Sequence, residues 1–85
     1  MIHTKDIKNI LDRIPTGTTL SVKEIQNFVK SNFDLGPEDW GPYTRTRQTN
    51  YSRWKHIVQA VLEKYKKTQK VTHNSLTHFY TFNES

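Results

Sequence analysis

No cysteine occurs in the 85 residues, which removes disulfide stapling, cysteine-based zinc sites and thiol catalysis together. Apolar residues are also scarce, at 33% of the chain against 25% charged. No run approaches the roughly 18 apolar residues that a membrane span needs. The opening Met1-Ile2-His3-Thr4-Lys5-Asp6 lacks an apolar stretch that could act as a signal peptide, so a cytoplasmic location is expected. Paired carboxylates for metal-assisted phosphodiester hydrolysis are missing, and the four histidines (His3, His56, His73, His78) are scattered. Asp39, beside Trp40, is a lone carboxylate of the kind that more often serves a turn or cap than catalysis. The chain reads as a binder and not an enzyme, with no cofactor and no metal.

Aromatic residues, by contrast, are plentiful: four Phe, four Tyr and two Trp. Disordered chains are usually poor in aromatics, so residues 1–85 read as one folded domain with an aromatic-heavy core. A domain of this size buries only roughly 60% of the surface its unfolded chain exposes, and its architecture must be simple.

Charge is distributed unevenly. The net charge is +5 and the pI about 9.6, but residues 1–43 carry five Lys/Arg against six Asp/Glu. Residues 44–70 carry eight (Arg45, Arg47, Arg53, Lys55, Lys64, Lys66, Lys67 and Lys70) against Glu63 alone. A basic excess confined to one stretch is the electrostatic footprint of a polyanion binder.

The hydrophobic pattern predicts three helices. Ile7, Ile10, Leu11 and Ile14 form an i, i+3, i+4, i+7 stripe. They place a first helix over about 4–14, with Thr4 as cap, Pro15 as stop and Thr16-Gly17 as turn. After the β-prone Thr18-Thr19-Leu20, Ser21-Val22-Lys23-Glu24 is a capping box, and Leu20 and Ile25 are spaced to staple it. A second helix is expected over about 22–33. Residues 34–49 are irregular, broken by Gly36-Pro37 and Gly41-Pro42, with room for one turn around Pro37–Trp40. A third helix, capped by Thr49 or Asn50, is predicted over about 51–66, with Trp54, Ile57, Val58, Val61, Leu62 and Tyr65 on its inner face. The β-branched and aromatic tail predicts a hairpin over about 70–82 around Asn74-Ser75. An even-length loop sets Val71 with Tyr80 and Phe82, an odd one with Phe79.

The expected fold class is therefore α+β, mainly α. Its order of helix, short strand, helix, loop, helix and hairpin resembles the winged helix-turn-helix DNA-binding family, in its small prokaryotic or phage form, over residues 3–82. The resemblance implies that the third helix enters the major groove and that the hairpin, the wing, follows the backbone or minor groove. It also implies that Thr18–Leu20 pairs with the hairpin. The long segment 34–49 replaces the family's short turn and becomes a candidate part of the binding surface.

On this reading the partner is double-stranded DNA, bound with some sequence preference by a nucleoid-associated regulator or recognition module. Asn50, Ser52, Arg53, His56 and Gln59, near the start of the third helix, can donate or accept at base edges. Arg45, Arg47, Lys55, Lys66 and Lys70 suit phosphates. Five neutralised phosphates correspond to a slope of log K against log salt near about −4.5. His73 and Asn74 lie at the wing tip, where an ordinary polar turn is an equal reading. Glu63 would repel phosphate and mark where contact ends. Two alternatives stay open: a protein-interaction module using Trp40 and Tyr43, and RNA binding, which an exposed Phe79 or Tyr80 would favour; a homodimer through the first helix is open as well.

Overall fold

The computed structural model describes residues 1–41 and 52–83. Among these it has four helices and a three-stranded antiparallel sheet: α1 (Thr4–Leu11), β1 (Thr19–Ser21), α2 (Val22–Asn32), α3 (Pro37–Trp40), α4 (Arg53–Lys67), β2 (Val71–His73) and β3 (Phe79–Phe82). The α+β class is as expected, and no helix among the described residues is long and apolar enough to cross a membrane.

α1 buries Ile7, Ile10 and Leu11, as its stripe requires. His3, not Thr4, occupies the cap position, and its backbone N–H donates to the Asp6 carboxylate at 2.9 Å. The helix ends at Leu11, earlier than predicted, because the chain tightens there. Arg13 N–H reaches the Ile10 carbonyl at 3.1 Å and Ile14 N–H the Leu11 carbonyl at 3.0 Å, the three-residue bonding usual at a fraying helix end. Ile14 is still buried, so the periodicity outlasts the helix. Gly17 then turns at φ +89°, a left-handed conformation that glycine adopts without strain.

The capping box of α2 is formed on both sides. Glu24 N–H donates to the Ser21 hydroxyl at 3.2 Å and Ser21 N–H to the Glu24 carboxylate at 3.1 Å. Ile25 is buried and Leu20 packs against the core beside it, in keeping with the staple.

The strand order is β1-β3-β2, so the short strand does pair with the hairpin. Leu20 lies opposite Tyr80, and Val71 opposite Phe82. This register is the even one: Val71, Tyr80 and Phe82 share the buried face, while Phe79 points outward and is 40% exposed. Asn74 sets the turn, its side-chain carbonyl accepting from the Leu76 and Thr77 N–H groups at 2.9 and 3.2 Å.

The third predicted helix is α4. It starts at Arg53, two residues later than expected, with Ser52 at the cap position. The expected caps Thr49 and Asn50 lie outside the described residues, as do Tyr43, Arg45 and Arg47. Trp54, Val58, Val61, Leu62 and Tyr65 are all buried, and they join the apolar faces of α1, α2 and the sheet in one core with Ile2. Arg53 N–H donates to the Gly41 carbonyl at 2.9 Å, which holds the two ends of segment 42–51 together.

Candidate nucleic-acid interface

The helical repeat divides α4 into an inner apolar side and an outer side carrying Lys55, His56, Gln59, Ala60, Glu63 and Lys67, with Lys66 at its edge. Where charge goes on this helix depends on what each side chain meets. The start of α4 is the clearest case. Arg53 does not stand free on the outer face as expected of a base reader. Its guanidinium donates to the Ile2 carbonyl at 2.8 Å and lies 3.5 Å from the carboxylate of Asp39, which is fully buried. Asp39 also accepts from the N–H groups of Ile2 at 2.9 Å and Gly36 at 3.0 Å. Ser52 is likewise buried, at 8% exposure. Arg53 therefore serves the joint between α3, α4 and the N-terminal residues, while Ser52 sits at the N-cap position of α4.

Asp39 is thus a cap and an anchor, the role its lone position suggested. Its partners were not legible in advance. Ile2 lies 37 residues away along the chain, and no local pattern links it to a turn beyond α2.

Further along the outer face, Lys55 holds its ammonium 5.7 Å from the ring centre of Trp54, a cation–π distance. Trp54 itself is a core anchor at 1% exposure. Trp40 meets it edge-on, ring centres 5.4 Å apart, yet stays 46% exposed, with the Lys30 ammonium 5.9 Å from its own ring centre. His56 is half-buried, and its backbone N–H donates to the Ser52 carbonyl at 3.1 Å.

Gln59 connects the helix to the hairpin. Its amide nitrogen donates to the Tyr80 hydroxyl at 3.4 Å and to the Glu63 carboxylate at 3.2 Å. Across the sheet, His73 packs its ring against Tyr80 with centres 4.6 Å apart, and His78 lies 6.0 Å from His73. Gln59 and His73 are thus brought together through Tyr80, which is buried and so does not offer the exposed ring that RNA binding would use. Lys66 pairs with Glu63 at 3.4 Å, so the two expected contacts Gln59 and Lys66 share one carboxylate. The Asn74 side-chain carbonyl is committed to its turn, and Leu76 at the hairpin tip is 90% exposed. No three potential metal ligands come together among the described residues.

Lys70 departs from the group. Its ammonium sits 4.9 Å from the ring centre of Tyr65, and it lines a pocket with Lys8 and Asp12 on the α1 side of α4.

Neither a family model, nor a curated protein, nor a solved structure matches this chain.

Proposed function

We propose that the chain is a winged-helix module that binds double-stranded DNA with a sequence preference. In this reading α4 is the recognition helix and β2–β3 the wing, and the domain acts by binding, as a regulator or as the recognition part of a larger system on the nucleoid. The observation that carries the proposal is the junction of Gln59, Tyr80 and His73. It sets the polar outer face of a basic helix beside a hairpin, so that one duplex could meet both. His56 and Gln59 are the base-reading candidates, while Lys55 and Lys66 suit phosphates. Arg45, Arg47 and Asn50 extend the same reading into segment 42–51.

With Lys70 turned toward α1 and Lys66 held by Glu63, three phosphate contacts remain in place of five. The expected slope of log K against log salt is then about −2.7. Fluorescence anisotropy with random duplex, single strand and structured RNA over about 50–200 mM salt tests this. Salt-sensitive duplex binding with that slope supports the reading, and its absence at the low-salt end overturns it.

One observation favours a second reading. Trp40 keeps nearly half its surface exposed while its edge rests on Trp54, the form of an aromatic anchor for a protein partner or a second copy. In that case Trp40→Ala would leave folding and duplex binding intact and abolish the association. The RNA arm of the titration covers the exposed Phe79 ring, which could stack on an unpaired base.

A further inference from the structure

Away from the outer face of α4, the end of that helix and α1 flank an open pocket of about 230 Å³ lined by Lys8, Asp12, Lys64, Tyr65, Thr68 and Lys70. Its three lysines come from three segments: α1, the last turn of α4 and the turn before β2. A lysine in a helix's last turn is favoured by the helix dipole, which accounts for Lys64. It does not account for Lys8 and Lys70 converging on the same place.

The neighbouring groups leave these ammonium charges unbalanced. Asp12 is the one carboxylate lining the pocket, and it accepts the Tyr65 hydroxyl hydrogen bond at 2.9 Å. None of the three lysines forms an ion pair with a described residue. The crowding has a measurable sign: contact with Lys64 and its charge, then desolvation and the charge of Lys70, push the Lys8 ammonium below its ordinary pKa, with Asp12 opposing. Two of the last carbonyls of α4, which border the pocket, are already hydrogen-bonded. The Lys64 carbonyl accepts from the Thr68 N–H at 3.1 Å and hydroxyl at 3.3 Å, and the Tyr65 carbonyl from the Lys70 N–H at 2.9 Å.

We propose that Lys8, Lys64 and Lys70 form a binding site for a phosphate-class oxyanion, separate from the α4–hairpin face. A tetrahedral phosphate offers acceptor oxygens in several directions and enough negative charge to offset three ammonium groups beside one aspartate. A single carboxylate offers two oxygens in one plane and one charge. The phosphate could come from a free ligand or from a nucleic-acid backbone, and the chemistry at the lysines is the same.

The probe is inorganic pyrophosphate, titrated into the full chain by calorimetry at constant ionic strength, with chloride as the reference salt. The expected result is saturable binding that Lys64→Gln weakens by about tenfold or more, the loss of one charge-assisted contact. Lys23→Gln, which removes the same charge from an exposed position on α2, should leave the affinity within about twofold. Lys64→Gln also relieves lysine repulsion, so the free variant should melt no lower than the parent chain, and lost binding cannot be put down to unfolding. A heat signal indistinguishable from chloride, or equal losses in both variants, overturns the site.

Duplex DNA separates the two sources. If a backbone phosphate occupies the site, duplex competes with pyrophosphate and Lys64→Gln lowers the duplex salt slope by about 1. If the ligand is free, pyrophosphate still binds in the presence of duplex, and duplex affinity ignores the substitution. The pyrophosphate titration decides the site even if the chain binds no DNA.

Discussion

At the N-terminal end of α4, Arg53 spans the Ile2 carbonyl and the buried Asp39 carboxylate; at the C-terminal end, Lys64 meets two further lysines and forms no ion pair. Both ends belong to the same basic stretch, yet one cation is consumed by the fold and the other is left with charge to offer. The difference lies in the neighbouring elements. α3 brings a carboxylate to Arg53, whereas α1 brings another lysine to Lys64. A local excess of charge therefore identifies candidate ligand sites only after the fold's own ion pairs have been subtracted.

The sharpest way to break this comparison is at Asp39. Asp39→Ala leaves the Ile2 and Gly36 N–H groups without their acceptor and the Arg53 guanidinium without its carboxylate, a loss expected to destabilise the domain by about 3–5 kcal/mol. Denaturant unfolding measures it, and a change below about 1 kcal/mol would make this end no more structural than an exposed pair. Arg53→Lys should cost less, about 1–3 kcal/mol, because the charge stays but the guanidinium nitrogen that meets both the Ile2 carbonyl and the Asp39 carboxylate is lost. If Arg53→Lys instead left stability intact and changed base preference, the residue would return to the binding face.

At the other end the test is alkaline pH. Tyr65→Phe removes the hydroxyl bond to Asp12, and at neutral pH should cost about 0.5–1.5 kcal/mol. Burial, first, and the Asp12 carboxylate hold the Tyr65 hydroxyl well above its ordinary pKa. An unfolded tyrosine gives up its proton near about pH 10, so the folded state retains a proton that the unfolded state loses. That contribution is fully present below about pH 10 and declines above it, and the gap between parent and Tyr65→Phe should close there. Lys8 acts in the opposite sense. Its folded-state pKa lies below the ordinary 10.5, so stability gains as pH rises toward that value and the repulsion among the lysines fades. Lys8→Gln should flatten this rise, and an unaltered rise would mean that the three ammonium groups do not interact.

What could be read beforehand was whatever depends on near neighbours in the chain. The stripes of α1 and α4 and the Ser21–Glu24 capping box are patterns over three or four residues; the box forms on both sides, and the stripes are buried apart from Ile57, which is half-buried. Ends were less legible: α1 stops early because its last turn tightens, and α4 starts late because Ser52 takes extended backbone at the N-cap position. The hairpin register was undecidable because one residue of slip at Asn74 exchanges Phe79 for Tyr80 on the buried face. Long-range pairs were out of reach. Ile2 with Asp39, Tyr65 with Asp12, and the meeting of Lys8 with Lys64 are separated by dozens of residues. Lys70 shows the same gap within one region, because charge counted along a chain has no direction in space. Only the fold sets it beside Lys8 and Asp12.

The smallest expected effect on stability falls at Glu63, midway between the two ends, and it tests whether the outer face of α4 is limited by its own carboxylate. Glu63 is exposed and holds Lys66 at 3.4 Å and Gln59 at 3.2 Å, so Glu63→Gln should change stability by no more than about 0.5 kcal/mol. Its consequence for a duplex is larger, because it removes a negative charge from the approach and frees the Lys66 ammonium for phosphate. Anisotropy should show tighter binding to every duplex sequence and a salt slope steeper by about 0.9, the signature of one added phosphate contact. An unchanged slope would mean that Lys66 stays outside the interface, which would confine contact to the part of the helix beside Lys55, His56 and Gln59. A change in base preference without a change in slope would instead assign the effect to Gln59, whose amide Glu63 also orients.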